Sequence, residues 1–363
     1  MILIVLGHLS NGSVGFAGPF DLFKPYAYHV AVFVFVSGYF YKPEYEKAPT
    51  GFLFKKVKRL IIPFYLISMV YGCIWTLIKP ALGIEMGGTL TMYNVFIAPL
   101  TTGHQYTINL AMWFIAPLFF AEVANLFIRM LVSLICPGEG VIKETALFIV
   151  YLVFGAVAIS VGGPKGLSTG WLLLACRTLF FMACFGMGRY YKAVLEAHDN
   201  VSNLVYFSFV LVAQMVVVIA VGGNYTYMPS WCCYPNGVLG TYAVTILGIA
   251  FLLRICKILG PYFGHTKAVL AIADNSFSIM CHHLAGFFIL NCLLLFVSNF
   301  FGVLNSFDFD SFSKTISYAF TPRGCPQFDL VYGAFGIGFS LLVHTFWVAV
   351  KTRCLVLFHR LKG

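Results

Sequence analysis

The sequence predicts an all-α bundle of about ten transmembrane helices, and three observations carry that expectation. The 363 residues are 60% hydrophobic and only 10% charged, whereas soluble domains carry about 25% charged residues. Long runs free of Asp, Glu, Lys and Arg recur along the chain, each near the ~20 residues that a membrane helix requires. Lys and Arg are divided unevenly between alternate loops, the pattern that fixes orientation in a bilayer. With a mean hydropathy of +0.88, the chain lacks the polar surface of a water-soluble enzyme, a disordered protein or a nucleic-acid binder. A single integral-membrane domain over residues 1–363 is expected, with a lipid bilayer around it and no nucleic-acid partner.

The opening MILIVLG is apolar and covers roughly 10 Å at helical rise, about a third of a bilayer. It reads as the outer end of a first helix whose start is missing, since a signal peptide would need a basic n-region and a small-residue cleavage site. Uncharged runs from Lys24 to Lys42 and from Arg59 to Lys79 give the second and third helices. A span holding Glu122, the run from Glu144 to Lys165 and a span holding Arg177 come next. The uncharged stretch from Asn200 to Leu253 is interrupted by NYTYMPSWCCYPNG, which predicts two helices and a short polar turn. A helix after Asp274, a loop around Asp308 and Asp310, and the run from Asp329 to Lys351 complete nine full spans and the stub.

Of the 23 Lys and Arg residues, seventeen fall in one set of loops, from Lys42 through Lys55, Lys56, Lys58 and Arg59 to Arg360 and Lys362. Five (Lys24, Lys79, Lys165, Lys314 and Arg323) fall in the other. The first set is therefore expected in the cytoplasm, together with the C-terminus, and the formal charge of +10 is largely a consequence of topology. The eleven cysteines are scattered and behave mostly as small apolar residues. Cys232, Cys233 and Cys325 fall in outer loops, so a disulfide between Cys325 and one of the vicinal pair is an open alternative. No Cys/His spacing resembles a zinc site, and no metal is expected.

Ionisable groups at membrane depth are candidates for function. His8 ends the stub, His29 opens the second helix in YHVAVFVFVSGYF, and His282 and His283 lie in DNSFSIMCHHLAGFF. Each alone reads most simply as an interfacial or core imidazole bonded to a carbonyl; together, on apolar helices, they suggest proton transfer at neutral pH. Lys55, Lys56, Lys58 and Arg59 in FLFKKVKRLIIPFY read either as a topology anchor or as a site for several phosphates. They are expected at the entrance of the third helix, with Pro63 early in it, and about 30 Å from His8 and His29 if both helices span. Ser37-Gly38 lacks the turn of a hydrolase nucleophile and reads as close helix packing. Arg177, with eleven uncharged residues on either side, is expected to face the bundle interior, with Glu122 as one candidate partner. Trp113 reads as an interfacial anchor.

These segments together resemble the integral-membrane acyltransferase type 3 family, the ten-span sugar O-acyltransferases of bacterial envelopes. LGHLS resembles the end of that family's first helix, YHVAVFVFVSGYFYKP its second, AMWFIAPLFF its Trp-Phe helix and DNSFSIMCHHLAG its late Asn-Ser…His helix. RTLFFMACFGMGRYYK is similar to its Phe-rich sixth span. The resemblance implies an acyl-CoA donor, most simply acetyl-CoA, bound at the cytoplasmic face, and transfer to a sugar hydroxyl on the far side of a bacterial-type cytoplasmic membrane. It maps the family's histidine onto His8 and its basic pair onto Lys56 and Arg59, with Lys where Arg is usual, which keeps the charge but loses the bidentate fork. The basic residue usual eleven positions before the histidine would precede Met1. The reading WFIAPLFF, without a glutamate pair, is similar to the branch of fucose O-acetylases and enterobacterial-antigen acetyltransferases. On this reading the catalytic candidates are His8, His29 and His283, the donor-binding candidates are Lys55, Lys56, Lys58 and Arg59, and Arg177 and Glu122 are further intramembrane charges. The competing expectation is a glycolipid transporter or flippase, for which an internal repeat is lacking.

Overall fold

A computed structural model describes residues 1–9, 22–136, 138, 140–304, 307–322 and 325–362, with side chains in the last helix through Arg353. Ser10 of LGHLS, Arg323, and the side chains of Arg360 and Lys362 lie outside the described residues. Among the described residues the regular elements are helices, and no strand forms.

Ten helices follow the predicted order. Eight are long and apolar enough to cross a membrane. They are α3 (Pro49–Leu82), α4 (Leu110–Ile135), α5 (Val141–Gly162), α6 (Trp171–His198), α7 (Asn203–Ala220), α8 (Gly237–Phe263), α9 (Ser276–Phe301) and α10 (Asp329–Arg353). Two are short, α1 (Ile2–Gly7) and α2 (His29–Tyr39). The expectation of a full second span is thus corrected. The 11 residues of α2 reach only about 15 Å, half the hydrocarbon core. Proline is the reason: Pro25 opens a 3₁₀ turn over Pro25–Ala27, and Pro43 opens another after the helix ends. His29, at the first position of α2, therefore stands about 15 Å along the helix axis from the other end of that helix.

The third helix also starts elsewhere than expected. It begins at Pro49, and Val57–Ile61 form a π-turn within it. Pro63 cannot donate an N–H and its ring crowds the preceding turn, which the wider π-turn accommodates. Lys55, Lys56, Lys58 and Arg59 therefore lie two to three turns inside a helix and not at its entrance. The other end of α3 is closed by Gly83 at φ 66°, the left-handed stop that glycine makes without strain.

The centre of the bundle is α6, of which 72% of the most apolar stretch is buried, against 11% for α7. It packs on α5, α2 and α4. A Cβ on Gly38 of α2 would stand 2.0 Å from the Phe185 carbonyl oxygen, and one on Gly188 of α6 would stand 1.9 Å from that of Phe35. Each glycine thus admits the other helix's backbone, and Ser37 only bonds back to the Phe33 carbonyl. Around α6 one apolar cluster gathers Trp113, Phe114 and Phe185; a second, built on α1, α9 and α10, gathers Val5, Ile279 and Leu284. At the end of the bundle that carries the basic loops, Arg129 is fully buried and paired with Glu46 at 2.6 Å and Glu144 at 2.8 Å, and Arg189 shares Glu144 at 2.9 Å. These pairs tie the loop after α2 to α4, α5 and α6.

Cys232, Cys233 and Cys325 are free thiols, so the alternative of a disulfide is not realised. Cys232 is buried against the Leu173 carbonyl, Cys233 donates to the Pro164 carbonyl at 3.1 Å, and Cys325 to Gln327.

Candidate active site

At the end of the bundle opposite Arg129, a cavity of about 170 Å³ lies between the two apolar clusters. Its lining draws on separate parts of the chain. Ile4 and His8 come from α1, His29 and Phe33 from α2, and Trp113 and Phe114 from the first turn of α4. His104 comes from the segment before α4, Ser230 and Trp231 from the loop between α7 and α8, and Ser317 from the segment before α10.

The histidines share one local geometry. His8 Nδ1 is 2.7 Å from the Ile4 carbonyl oxygen, His29 Nδ1 is 2.7 Å from that of Pro25, and His283 Nδ1 is 2.8 Å from that of Ile279. A carbonyl can only accept, so each neutral ring carries its proton on Nδ1 and presents Nε2 as a lone pair. His283 is fully buried and does not line the cavity; its Nε2 lies 3.4 Å from His8 Nδ1, with the rings edge to face at 5.0 Å. The N–H of His8 therefore faces two acceptors, Ile4 and His283, and both favour a positive charge on that ring when Nε2 takes up a proton. His282 turns the other way and meets the Tyr71 hydroxyl at 2.7 Å.

Arg177 is 1% exposed and acts as a clamp between loops. Its Nη2 donates to the Thr102 carbonyl at 3.0 Å and its Nε to that of Ser230 at 2.8 Å, while its guanidinium stands 4.9 Å from the Trp113 ring. Gly166 and Gly170 at φ 71° and 102° keep the preceding residues out of the helix, so Arg177 sits two turns from the end of α6 and not at its middle. The candidate pairing with Glu122 is corrected. Glu122 lies nine residues beyond Trp113 on α4, about 14 Å along the axis, and instead accepts from Lys56 at 2.6 Å. Lys56 also stands 5.4 Å from the Phe52 ring. Lys55, Lys58 and Arg59 are exposed, so the basic run divides into one paired cation and three free to face an anion or headgroups.

Three contributors escaped the sequence reading. His104 lies against Trp231 with ring centroids 4.3 Å apart and the planes tilted by 35°, and burial together with the Arg177 charge pushes its pKa down to about 3, which keeps the ring neutral. Trp231 and Ser230 belong to the stretch expected to be a plain polar turn. The signal was its aromatic content, with Trp231, Tyr225, Tyr227 and Tyr234 in one loop, of which the three tyrosines are buried. Trp113, expected as an anchor, is 5% exposed and serves as cavity wall. Among the described residues no three His, Cys, Asp or Glu side chains converge as metal ligands.

A neutral imidazole that presents Nε2 beside an aromatic wall can accept a hydroxyl proton, which general-base transfer requires. No curated protein and no solved structure matches the chain. The acyltransferase-domain model of the acyltransferase 3 family matches residues 1–343, which takes in the cavity, His8, His29 and His283, and every spanning helix up to the middle of α10. The chain therefore belongs to the acyltransferase 3 family and is a membrane acyltransferase.

Proposed function

We propose that this enzyme moves an acetyl group from acetyl-CoA to a hydroxyl of an extracytoplasmic sugar or envelope glycan, in a bacterial-type cytoplasmic membrane with its C-terminus in the cytoplasm. The observation that carries the reading is the convergence of His8 and His29 on one cavity, each with Nδ1 committed to a carbonyl and Nε2 free. Orientation is supported by the seventeen-to-five split of Lys and Arg between alternate loops. Lys55, Lys58 and Arg59 are the candidates for the coenzyme's phosphates, and the short α2 supports a donor that reaches the cavity from the basic end.

In the proposed step, His8 Nε2 takes the proton of the acceptor hydroxyl as its oxygen attacks the thioester carbonyl. The C–S bond then breaks, the new C–O ester bond remains on the acceptor, and the departing thiolate takes the proton back from Nε2. His8 is preferred over His29 because His283 stands behind it and stabilises the transient imidazolium. His29 lines the same cavity and is the candidate to hold the acceptor hydroxyl. The test uses purified full-length protein in lipid nanodiscs. CoA release from acetyl-CoA should depend on added glycan acceptor, with the acetyl group recovered as an ester. Glycolipid translocation without CoA release would overturn the reading in favour of a flippase.

A further inference from the structure

We propose that His104 and Trp231 form the acceptor subsite, a face shaped for a hydroxylated ring that sets which acceptor the enzyme takes. The proposal rests on the acyltransferase reading, because it assigns one side of the cavity to one of that reaction's two substrates. Three observations support it. The first is the surface itself. The two rings lie 4.3 Å apart, tilted by 35°, on the cavity wall and offer apolar faces, and Ser230 lies beside them as a polar edge. Apolar ring face with polar edge matches a sugar, whose C–H groups cover one face of the ring and whose hydroxyls project from its rim.

The second is the support. His104 and Trp231 are far apart in the chain, yet Arg177 holds the carbonyls two residues before His104 and one before Trp231. The Trp231 carbonyl in turn accepts from Leu167 N–H at 2.7 Å. A loop pair fixed from below by one buried guanidinium keeps its spacing when the cavity fills, as a selective site requires. The third is location. The pair lines the same cavity as His8 and His29, on loops at the end of the bundle away from Lys55–Arg59, so a ring seated there brings a hydroxyl to the imidazoles without crossing the path of an anionic donor. Nδ1 of His104 is closed off inside the protein, which leaves Nε2 as the ring nitrogen for a hydroxyl, and Ser230 beside it as a second polar contact to tell one hydroxyl configuration from another.

The experiment is done on full-length protein in nanodiscs free of glycoside detergent. The probes are methyl glycosides of glucose, galactose, mannose, rhamnose, fucose and N-acetylglucosamine, with affinity read by saturation-transfer NMR titration in the absence of acetyl-CoA. At least one glycoside should bind. Trp231→Leu and His104→Phe should each weaken it about tenfold or more, the second although the stacked ring is retained, and His104→Asn should restore part of the loss. Thermal midpoints and the affinity for acetyl-CoA should stay at the wild-type value. Binding by no glycoside, or equal binding by wild type and both variants, overturns the proposal. Acceptor-dependent CoA release is measured on the same samples. If glycosides bind through His104 and Trp231 but no CoA is released, the acetyl-CoA reading fails and this one stands. If CoA release requires glycoside and neither variant changes its dependence, the reverse holds.

Discussion

At one end of the bundle, side chains from positions as distant as His8, His104 and Trp231 meet around one small cavity, with His283 behind His8. At the other, four cations within five residues of sequence go separate ways: Lys56 closes on Glu122, while Lys55, Lys58 and Arg59 face outward. Helical geometry accounts for the second case, since at about 100° per residue Lys56 and Lys58 project some 160° apart. The first case arises because the loops before α4 and α8 meet the end of α1 and the start of the short α2 at one cavity. Nearness in sequence disperses functional groups around a helix, and only the fold's irregular parts gather them.

The largest expected effect falls on the gathered end. His8→Ala should lower the transfer rate by about 100-fold to 10,000-fold, the usual worth of general-base catalysis, with expression and thermal midpoint retained. His283→Phe, which keeps the ring volume and removes the acceptor behind His8, should lower it about tenfold. If the two losses are equal, His283 takes part in the reaction itself and the supporting role assigned to it is wrong. Steady-state CoA release on both variants decides.

Next in size is the Lys56–Glu122 pair. Glu122 is 5% exposed, and its second oxygen has no partner among the described residues. Lys56→Gln strands this carboxylate and should destabilise the protein by about 3 kcal/mol. The double change Lys56→Gln with Glu122→Gln should recover most of that. A cycle of thermal unfolding measurements shows this directly, and a single variant as stable as wild type would mean that Lys56 is as free as its neighbours.

The helices were readable from uncharged runs because a bilayer imposes a length on every span, and the order of all ten follows that reading. What misled was proline. Pro25 and Pro43 cut the second span to α2, and Pro63 with its π-turn moved the start of α3 back to Pro49. His8 and His29 could be singled out because imidazoles are conspicuous on apolar helices. The contact of His8 with His283 could not, since it depends on how α1 packs on α9. His104 and Trp231 were hidden in stretches whose polarity marks them as loops, and polarity does not say whether a loop lies on the surface or dips into the bundle.

Arg177 joins those two hidden loops, and Arg177→Lys measures how far the site depends on the joint. A lysine keeps the charge but reaches one carbonyl instead of two, so either Thr102 or Ser230 is released. The efficiency of transfer should fall about tenfold or somewhat more through the acceptor KM, with the acetyl-CoA KM unchanged. A fall in kcat alone would mean that Arg177 steadies the histidine wall through Trp113 and not the loops.

The smallest effect is expected from Arg59→Gln, and it bears most directly on the dispersed end. Arg59 is exposed and has no carboxylate partner within salt-bridge distance among the described residues, so its removal strands no buried charge and the thermal midpoint should hold. If it contacts a coenzyme phosphate, one charge-assisted contact is lost, and solvent screening at an exposed site limits the change to about tenfold in the apparent acetyl-CoA KM. The contrast with Lys56→Gln is the informative part. Loss of stability without loss of donor affinity in Lys56→Gln, and the reverse in Arg59→Gln, would assign a structural role to the paired cation and a binding role to the free one. Orientation has to be checked in both by labelling a cysteine placed in a loop, because each also removes a charge that helps to set topology. If the orientation is unchanged and Arg59→Gln leaves the acetyl-CoA KM at the wild-type value, Arg59 serves only as a headgroup anchor, and the donor phosphates are held elsewhere on the basic face.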